Sequence, residues 1–289
     1  YPKRDYFGVA TIDITTGTFL VTEIHGYDQL ATEIQRLQPR ECIVPKDHNN
    51  EHLATLLTAF EGLHTYTYQT AHDSYKTLIQ QFEVQSLEAF GIEKWPFATQ
   101  AAGLLINYLK DTQKTALSHL KSLKPYSPDD HMLLDEATLR NLELIATLRE
   151  GQKKGSLLGV LDHTQTAMGG RLLKTWLLRP LTDKTQINAR LDAVQILYKD
   201  AALQDNLTEE ISKILDLERV LSRLTLDRGT PRDLVALRTS LEQIPNIKHF
   251  LKKEKSTLLT KLNQQLEPLP EIIDLIHKAI VEEPPINLK

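Results

Sequence analysis

Three groups of residues have the types and spacings that can support chemistry. His48-Asn49-Asn50-Glu51-His52 has the H-x-x-E-H spacing of an inverted zinc-protease motif. That chemistry needs both imidazoles on one face of an established helix, with the glutamate beside the metal-bound water. Pro45 and Asp47 precede the motif and Asn50 is the natural N-cap, which leaves His48 outside the helix and His52 in its first turn. The two rings then share no face, and no further carboxylate ligand can be identified downstream. Asp13 ends an alternating, strand-like run, where metal-dependent nucleases of one α/β type hold a Mg²⁺-binding carboxylate. Such a site needs three or four acids converging from separate elements. Asp5, Glu41, Asp47 and Asp73 are available, but none falls at an arguable strand end. Asp13 reads more simply as the end of a hairpin. The third group is a local basic surplus from Arg149 to Arg179, six basic residues against two acidic. Lys153, Lys154, Arg171 and Lys174 are its candidate phosphate contacts, although a solvated helix face plus a charged loop explains the same charges.

The elements that must position these groups are those of an ordinary globular chain. Its 289 residues, 41% hydrophobic and 25% charged, suffice for two domains with their own cores. The apolar runs are too short for a transmembrane helix, so no membrane association is expected, and no signal peptide opens the chain. The single cysteine, Cys42, can form no internal disulfide, which points to a reducing, cytoplasmic setting and leaves Asn206-Leu207-Thr208 an unused glycosylation pattern. Residues 1–118 hold 9 Lys/Arg against 14 Asp/Glu, and residues 119–289 hold 25 against 24. No basic excess supports strong phosphate binding, so this chain alone is expected to bind DNA weakly. There is no G-x-x-x-x-G-K-[S/T] phosphate loop, no G-x-G-x-x-G and no G-x-S-x-G.

Tyr6–Ile14 and Phe19–Ile24 read as a hairpin around Thr15-Thr16-Gly17-Thr18. Helix signals begin at Asp28 and around Leu53, with short strands at Glu41–Val44 and His64–Tyr68. Further helices are predicted around Ser74–Phe82 and Ala98–Lys114. Alternation of helix and strand argues for an α/β domain with a mixed sheet over residues 1–118. Pro125, Pro128 and the turn chemistry of Ser127-Pro128-Asp129-Asp130 mark a boundary, and residues 119–289 are predicted all-α. Within that part, Gly151 and Gly155 form a joint, and GSLLGVLDHTQTAMGGRLLKTWLLRPL reads as a buried helix stopped by Pro180. Its set Leu172, Leu173, Trp176, Leu177 recurs at helical spacing. Ile187, Leu191, Val194 and Leu197 form the stripe of the next helix, capped at Asp183. Leu217, Val220, Leu221 and Leu224 follow, and Thr230-Pro231-Arg232-Asp233 is a strong helix start. Helices are also expected near Ile247–Lys253, Thr257–Leu266 and Leu269–Val281. Arg190, Glu218, Arg219, Arg223, Arg232 and Arg238 flank these stripes as an expected rim of interhelical ion pairs.

The ordered series LDEATLRNLEL, GSLLGVLDHTQTAMGGRLLKTWLLRPL, INARLDAVQIL, ERVLSRLTL and TPRDLVALRTSL resembles the helical core of the MutS family of DNA mismatch-repair proteins. FGVATIDITTGTF and AAGLLINYLKDTQK resemble, more diffusely, the family's connector domain. The resemblance implies a multidomain middle fragment: a connector of ribonuclease H-like α/β fold, then the first segment of an all-α core or lever domain, incomplete at its C-terminus. It implies a non-catalytic role, coupling mismatch recognition and DNA clamping to the ATPase and docking MutL. The Phe-x-Glu mismatch wedge is absent, so mismatched double-stranded DNA, ATP and Mg²⁺ are expected to be bound by other parts of the full-length protein. The full-length protein is expected to be a homodimer, and the fragment a monomer. No catalytic, cofactor or metal residue is expected here. The docking surface is placed on the polar helix carrying Tyr75, Lys76, Thr77 and Gln80. The alternative functions are a ribonuclease H-like Mg²⁺ nuclease and a zinc peptidase built on His48, Glu51 and His52.

Overall fold

A computed structural model of the chain describes residues 2–3, 5–46, 50–69, 73–113, 117, 120–128, 131–132, 134–226 and 228–285. They fall into two compact units, Tyr1–Leu139 and Arg140–Lys289. In chain order the first unit contains β1 (Pro2–Lys3), β2 (Tyr6–Asp13), β3 (Thr18–His25), α1 (Tyr27–Leu37), β4 (Glu41–Pro45), α2 (Glu51–Thr58), β5 (His64–Tyr68), α3 (Ser74–Phe82), a 3₁₀ turn at Leu87–Phe90, α4 (Pro96–Gln113) and β6 (Lys124–Pro125). The expected mixed sheet is divided. β1, β2 and β3 are antiparallel with β6 added parallel to β3, while β4 and β5 form a separate parallel pair.

The period-two alternation of β2 and β3 builds two cores, one on each face of the larger sheet. Phe7 and Ile24 pack with Leu30 and Ile34 of α1, Val44 of β4, and Leu53 and Leu57 of α2. Phe19 and Val21 pack with Leu78 of α3 and with Ala98, Ala102 and Ile106 of α4. Each buried Val, Leu, Ile or Phe side chain among these contributes about 1.5–3 kcal/mol. Two glycines set how closely these layers approach. A Cβ on Gly8 would lie 1.9 Å from the Phe97 carbonyl oxygen, and one on Gly103 would lie 2.3 Å from the Ser74 Cβ. The Glu23 carboxylate of β3 accepts from the Phe97 and Ala98 N–H groups at 2.8 and 3.1 Å, capping the start of α4.

The stretch after Ser118, read from the sequence as a boundary, is part of this unit. Leu120 and Leu123 are buried in the α3–α4 core, and Leu20 pairs with Lys124. Beyond β6, the Tyr126 hydroxyl donates to Glu33 of α1 and Arg36 lies over the Tyr126 ring, 5.5 Å from its centroid. Apolar burial extends the first unit past the proline breaks, so the structure divides after Leu139.

The second unit is helical: α5 (Glu136–Asn141, across the division), α6 (Leu157–Leu161), α7 (Ala167–Leu178), α8 (Lys184–Lys199), α9 (Ala201–Ser212), α10 (Leu217–Thr225), α11 (Pro231–Leu241), α12 (Ile244–Leu251), α13 (Thr257–Gln265) and α14 (Pro270–Ala279). The predicted long helix before Pro180 is two. Ser156 caps α6, and Asp162 turns the chain by accepting from the Thr164 N–H and hydroxyl. Thr166 then starts α7. Nor does that helix lie deep in the core of this unit, because Leu172 is 51% and Trp176 37% exposed. On α8 the predicted stripe is also displaced: Ala193 is buried, whereas Leu191 and Val194 are 58% and 61% exposed. The local core is instead shared by Ala193, Leu203, Leu207, Ile247, Leu251 and Leu259. Among the described residues, no helix is long and apolar enough to cross a membrane.

Candidate functional site: a relay of charged contacts between helices

The main concentration of interacting charged side chains lies along α8, α7, α10, α11 and α14. Arg190 of α8 lies over the Trp176 ring of α7, 3.7 Å from its centroid. Arg171, also on α7, grips Asp216 at the start of α10 in a two-pronged pair, Nη1 and Nη2 donating at 2.8 and 2.7 Å. Its Nε also donates to Glu218 at 3.2 Å. Arg223 of α10 reaches Asp233 of α11, Nε donating at 3.0 Å. Asp233 simultaneously closes a capping box with Thr230, accepting from the Thr230 N–H at 2.9 Å. From α11, Arg238 contacts His277 Nδ1 of α14 at 3.2 Å, and the Arg232 Nε donates to the Pro284 carbonyl at 3.1 Å.

The electrostatics match this wiring. The paired Asp216 raises the Arg171 guanidinium above its ordinary range, and Arg171 in turn lowers Asp216. Arg223 lowers Asp233 and is raised by it. Burial lowers Arg190. Such two-pronged, charge-assisted bonds fix direction as well as distance. The fully buried Ser240 of α11 adds a neutral tie, accepting from the Leu215 N–H ahead of α10 at 3.0 Å. These contacts connect α7, α10, α11 and α14.

A family model described as MutS domain III matches residues 137–289, and one described as MutS domain II matches residues 1–121. The chain belongs to the MutS family. The DNA mismatch repair protein MutS of Halothermothrix orenii is 38% identical over 290 residues, 99% of this chain and 32% of the relative. Those of Symbiobacterium thermophilum and Myxococcus xanthus are each 40% identical, over 99% and 98% of this chain and 34% and 32% of their own lengths. The chain thus spans about a third of the curated relatives it matches. The relay lies in the domain III match, and the α/β unit accounts for the domain II match.

The residues singled out in the sequence divide in the structure. Of the basic set, Arg171 belongs to the relay and Lys153 pairs with Asp162, which Lys153 and Thr164 bring down to about 2. Lys174 is half-buried on α7, and Lys154 is exposed. Two of the four, Lys153 and Arg171, are thus engaged by carboxylates of this chain. Of the docking set, Lys76 and Gln80 are exposed, but the Tyr75 hydroxyl is held by Glu93 at 3.0 Å. Thr77 is buried against Asn107 at 3.4 Å and has no place on a surface. His48 lies outside the described residues. Asn50 caps α2, accepting from the Leu53 N–H at 2.9 Å, and His52 sits edge-on to Tyr27. Asp13 accepts from the Thr15 N–H and hydroxyl at 2.8 and 2.7 Å. Burial raises this carboxyl, but the hydrogen bonds of Thr15 and Thr16 together outweigh it and leave it lowered, as a hairpin-end residue. Among the described residues, no group of three or more His, Cys, Asp or Glu is placed to hold a metal. The nuclease and zinc-peptidase alternatives are not favoured for a MutS chain.

Sequence reasoning missed Asp216 as the anchor of the relay, and the helix α9 altogether. Asp200, which caps α9 by accepting from the Leu203 N–H at 2.9 Å, and the 203-207-211 apolar spacing were the available signals.

Proposed function

We propose that this chain is the central, non-catalytic part of a MutS protein in DNA mismatch repair, transmitting state between the DNA-holding and nucleotide-binding parts of the full-length molecule. The observation that carries this reading is the relay. Arg171–Asp216, Arg223–Asp233 and Arg238–His277 join α7, α10, α11 and α14 by directional polar contacts rather than by apolar packing alone. Helices tied in this way move as units, and a displacement at one end changes the equilibrium at the other. Mismatched DNA, ATP and Mg²⁺ are bound outside this chain in this reading. MutL docks on the α/β unit, with Lys76 and Gln80 of α3 as the exposed part of its surface. The full-length protein is a cytoplasmic homodimer.

The test uses the full-length protein carrying Arg171→Leu with Arg223→Leu. It is loaded on mismatched DNA without nucleotide and then challenged with ATP. Retained mismatch binding with a slowed or absent ATP response supports transmission through the relay. An unchanged ATP response refutes it.

A further inference from the structure

β5 lies at one side of a two-stranded parallel sheet. The His64 N–H donates to the Arg40 carbonyl at 2.9 Å, and the Tyr68 carbonyl accepts from the Lys46 N–H at 3.0 Å. In a parallel ladder, residues of one parity turn both backbone groups to the same neighbour. His64, Tyr66 and Tyr68 therefore bond toward β4, and Thr65 and Thr67 direct their N–H and C=O to the opposite side, where no strand among the described residues pairs with β5. All residues of β5 except Tyr68 are exposed. Natural edge strands are usually blunted by lysine, proline or a bulge. His-Thr-Tyr-Thr-Tyr contains neither lysine nor proline and is rich in strand-favouring residues.

The face beside this edge is aromatic and acidic. Tyr66 is 45% exposed. The Tyr68 hydroxyl donates to Asp111, and the Tyr108 ring meets Tyr68 edge-on with centroids 5.6 Å apart. Burial and the Asp111 carboxylate push the Tyr68 phenol up to about 12, and burial with Glu41 raises that of Tyr108. The basic residues Arg40 and Lys46 flank β4, the strand on the far side from the open edge. Residues 1–139, the whole of this unit, carry eleven basic and eighteen acidic side chains, so the unit's field favours a cationic partner.

We propose that the open edge of β5 is a docking site for an extended, lysine- or arginine-rich segment of a partner protein, which adds as a further strand. Its backbone pairs with Thr65 and Thr67, and alternate cationic side chains lie on the Tyr66–Tyr68 face near Asp111. Main-chain bonds supply the affinity of this mode and the side-chain face its selectivity, with cation–π contact favouring lysine or arginine. This site is separate from the relay and from α3, and does not rest on the coupling role.

The test titrates the 289-residue chain with a fluorescein-labelled octapeptide of alternating lysine and valine, followed by anisotropy and by amide exchange. Saturable binding, slowed exchange of the Thr65 and Thr67 amides and weakening by salt are expected. Thr67→Pro, which removes an outward N–H, is expected to weaken binding at least about ten-fold. Tyr66→Ala removes the exposed ring without touching the backbone and is expected to weaken it several-fold. Far-ultraviolet circular dichroism of both variants verifies folding. The proposal is overturned if no saturable binding occurs, if both variants bind as the parent does, or if an alternating glutamate–valine octapeptide binds equally well. It is also overturned if the parent self-associates without peptide and Thr67→Pro abolishes that, which would assign the edge to a second copy.

Discussion

Replacing Arg171 by leucine removes the two-pronged bond to Asp216 and the contact to Glu218 while keeping an aliphatic side chain on α7. Hydrogen bonds to charged groups contribute about 1.5–3 kcal/mol each when well shielded, and exposed ion pairs about 0–1 kcal/mol. The side chains here are 30% and 20% exposed, between those limits. Asp216 also retains Arg219 at 3.6 Å. A coupling of about 1–2 kcal/mol between positions 171 and 216 is therefore expected. The assay is a double-mutant cycle of Arg171→Leu and Asp216→Asn, each unfolded in urea. Trp95→Phe in every protein leaves Trp176 as the only indole, so fluorescence follows the helical unit. The coupling should shrink at high salt without vanishing, since the pair is partly shielded. A coupling below about 0.3 kcal/mol, the usual scatter for independent sites, would refute a structural role for this pair.

Thr230→Ala breaks the capping box of α11 and should destabilise the helical unit by about 1 kcal/mol in the same urea assay. Gly103→Ala places a Cβ 2.3 Å from that of Ser74 and should cost the α/β unit about 1–3 kcal/mol, read from the Trp95 signal in a Trp176→Phe background. Asp216 and Asp233 are lowered from the ordinary aspartate value of 3.8, so their contribution is present above that value and is lost as pH falls through the lower folded values. Urea midpoints should thus fall more steeply below about pH 4 for the parent than for the Asp216→Asn, Asp233→Asn double variant.

The local code was legible wherever one residue decides the outcome. Thr230-Pro231-Arg232-Asp233 forms the capping box that its types require, Asp183 caps α8, and the 15–18 turn closes the hairpin with Gly17 at a φ of 69°. The turn at Asp162 was read through although a signal was there: the polar run Asp162-His163-Thr164-Gln165-Thr166 interrupts the apolar pattern between Leu161 and Ala167. Only the Asp162–Thr164 bonds and the Thr166 cap interrupt the helix. Periodicity also misplaced burial on α8. It marks which positions share a face, and the small Ala193, with no weight in an apolar stripe, is the residue that the neighbouring helices approach. The docking set failed at Thr77 for a related reason, since a threonine facing a buried asparagine reads as polar surface in one dimension. The relay was half-visible: its arginines stand out, but their partners are set by helix packing.

The central claim is transmission through this relay, and its most direct test is a charge swap in the full-length protein. Arg171→Asp and Asp216→Arg are made singly and together, and ATP-triggered release from mismatched DNA is timed for each. The account predicts that each single variant binds the mismatch but responds slowly to ATP, and that the swapped pair regains most of the parental rate. Equal rates in all four proteins, or singles whose defect the swap leaves unrepaired, would contradict it.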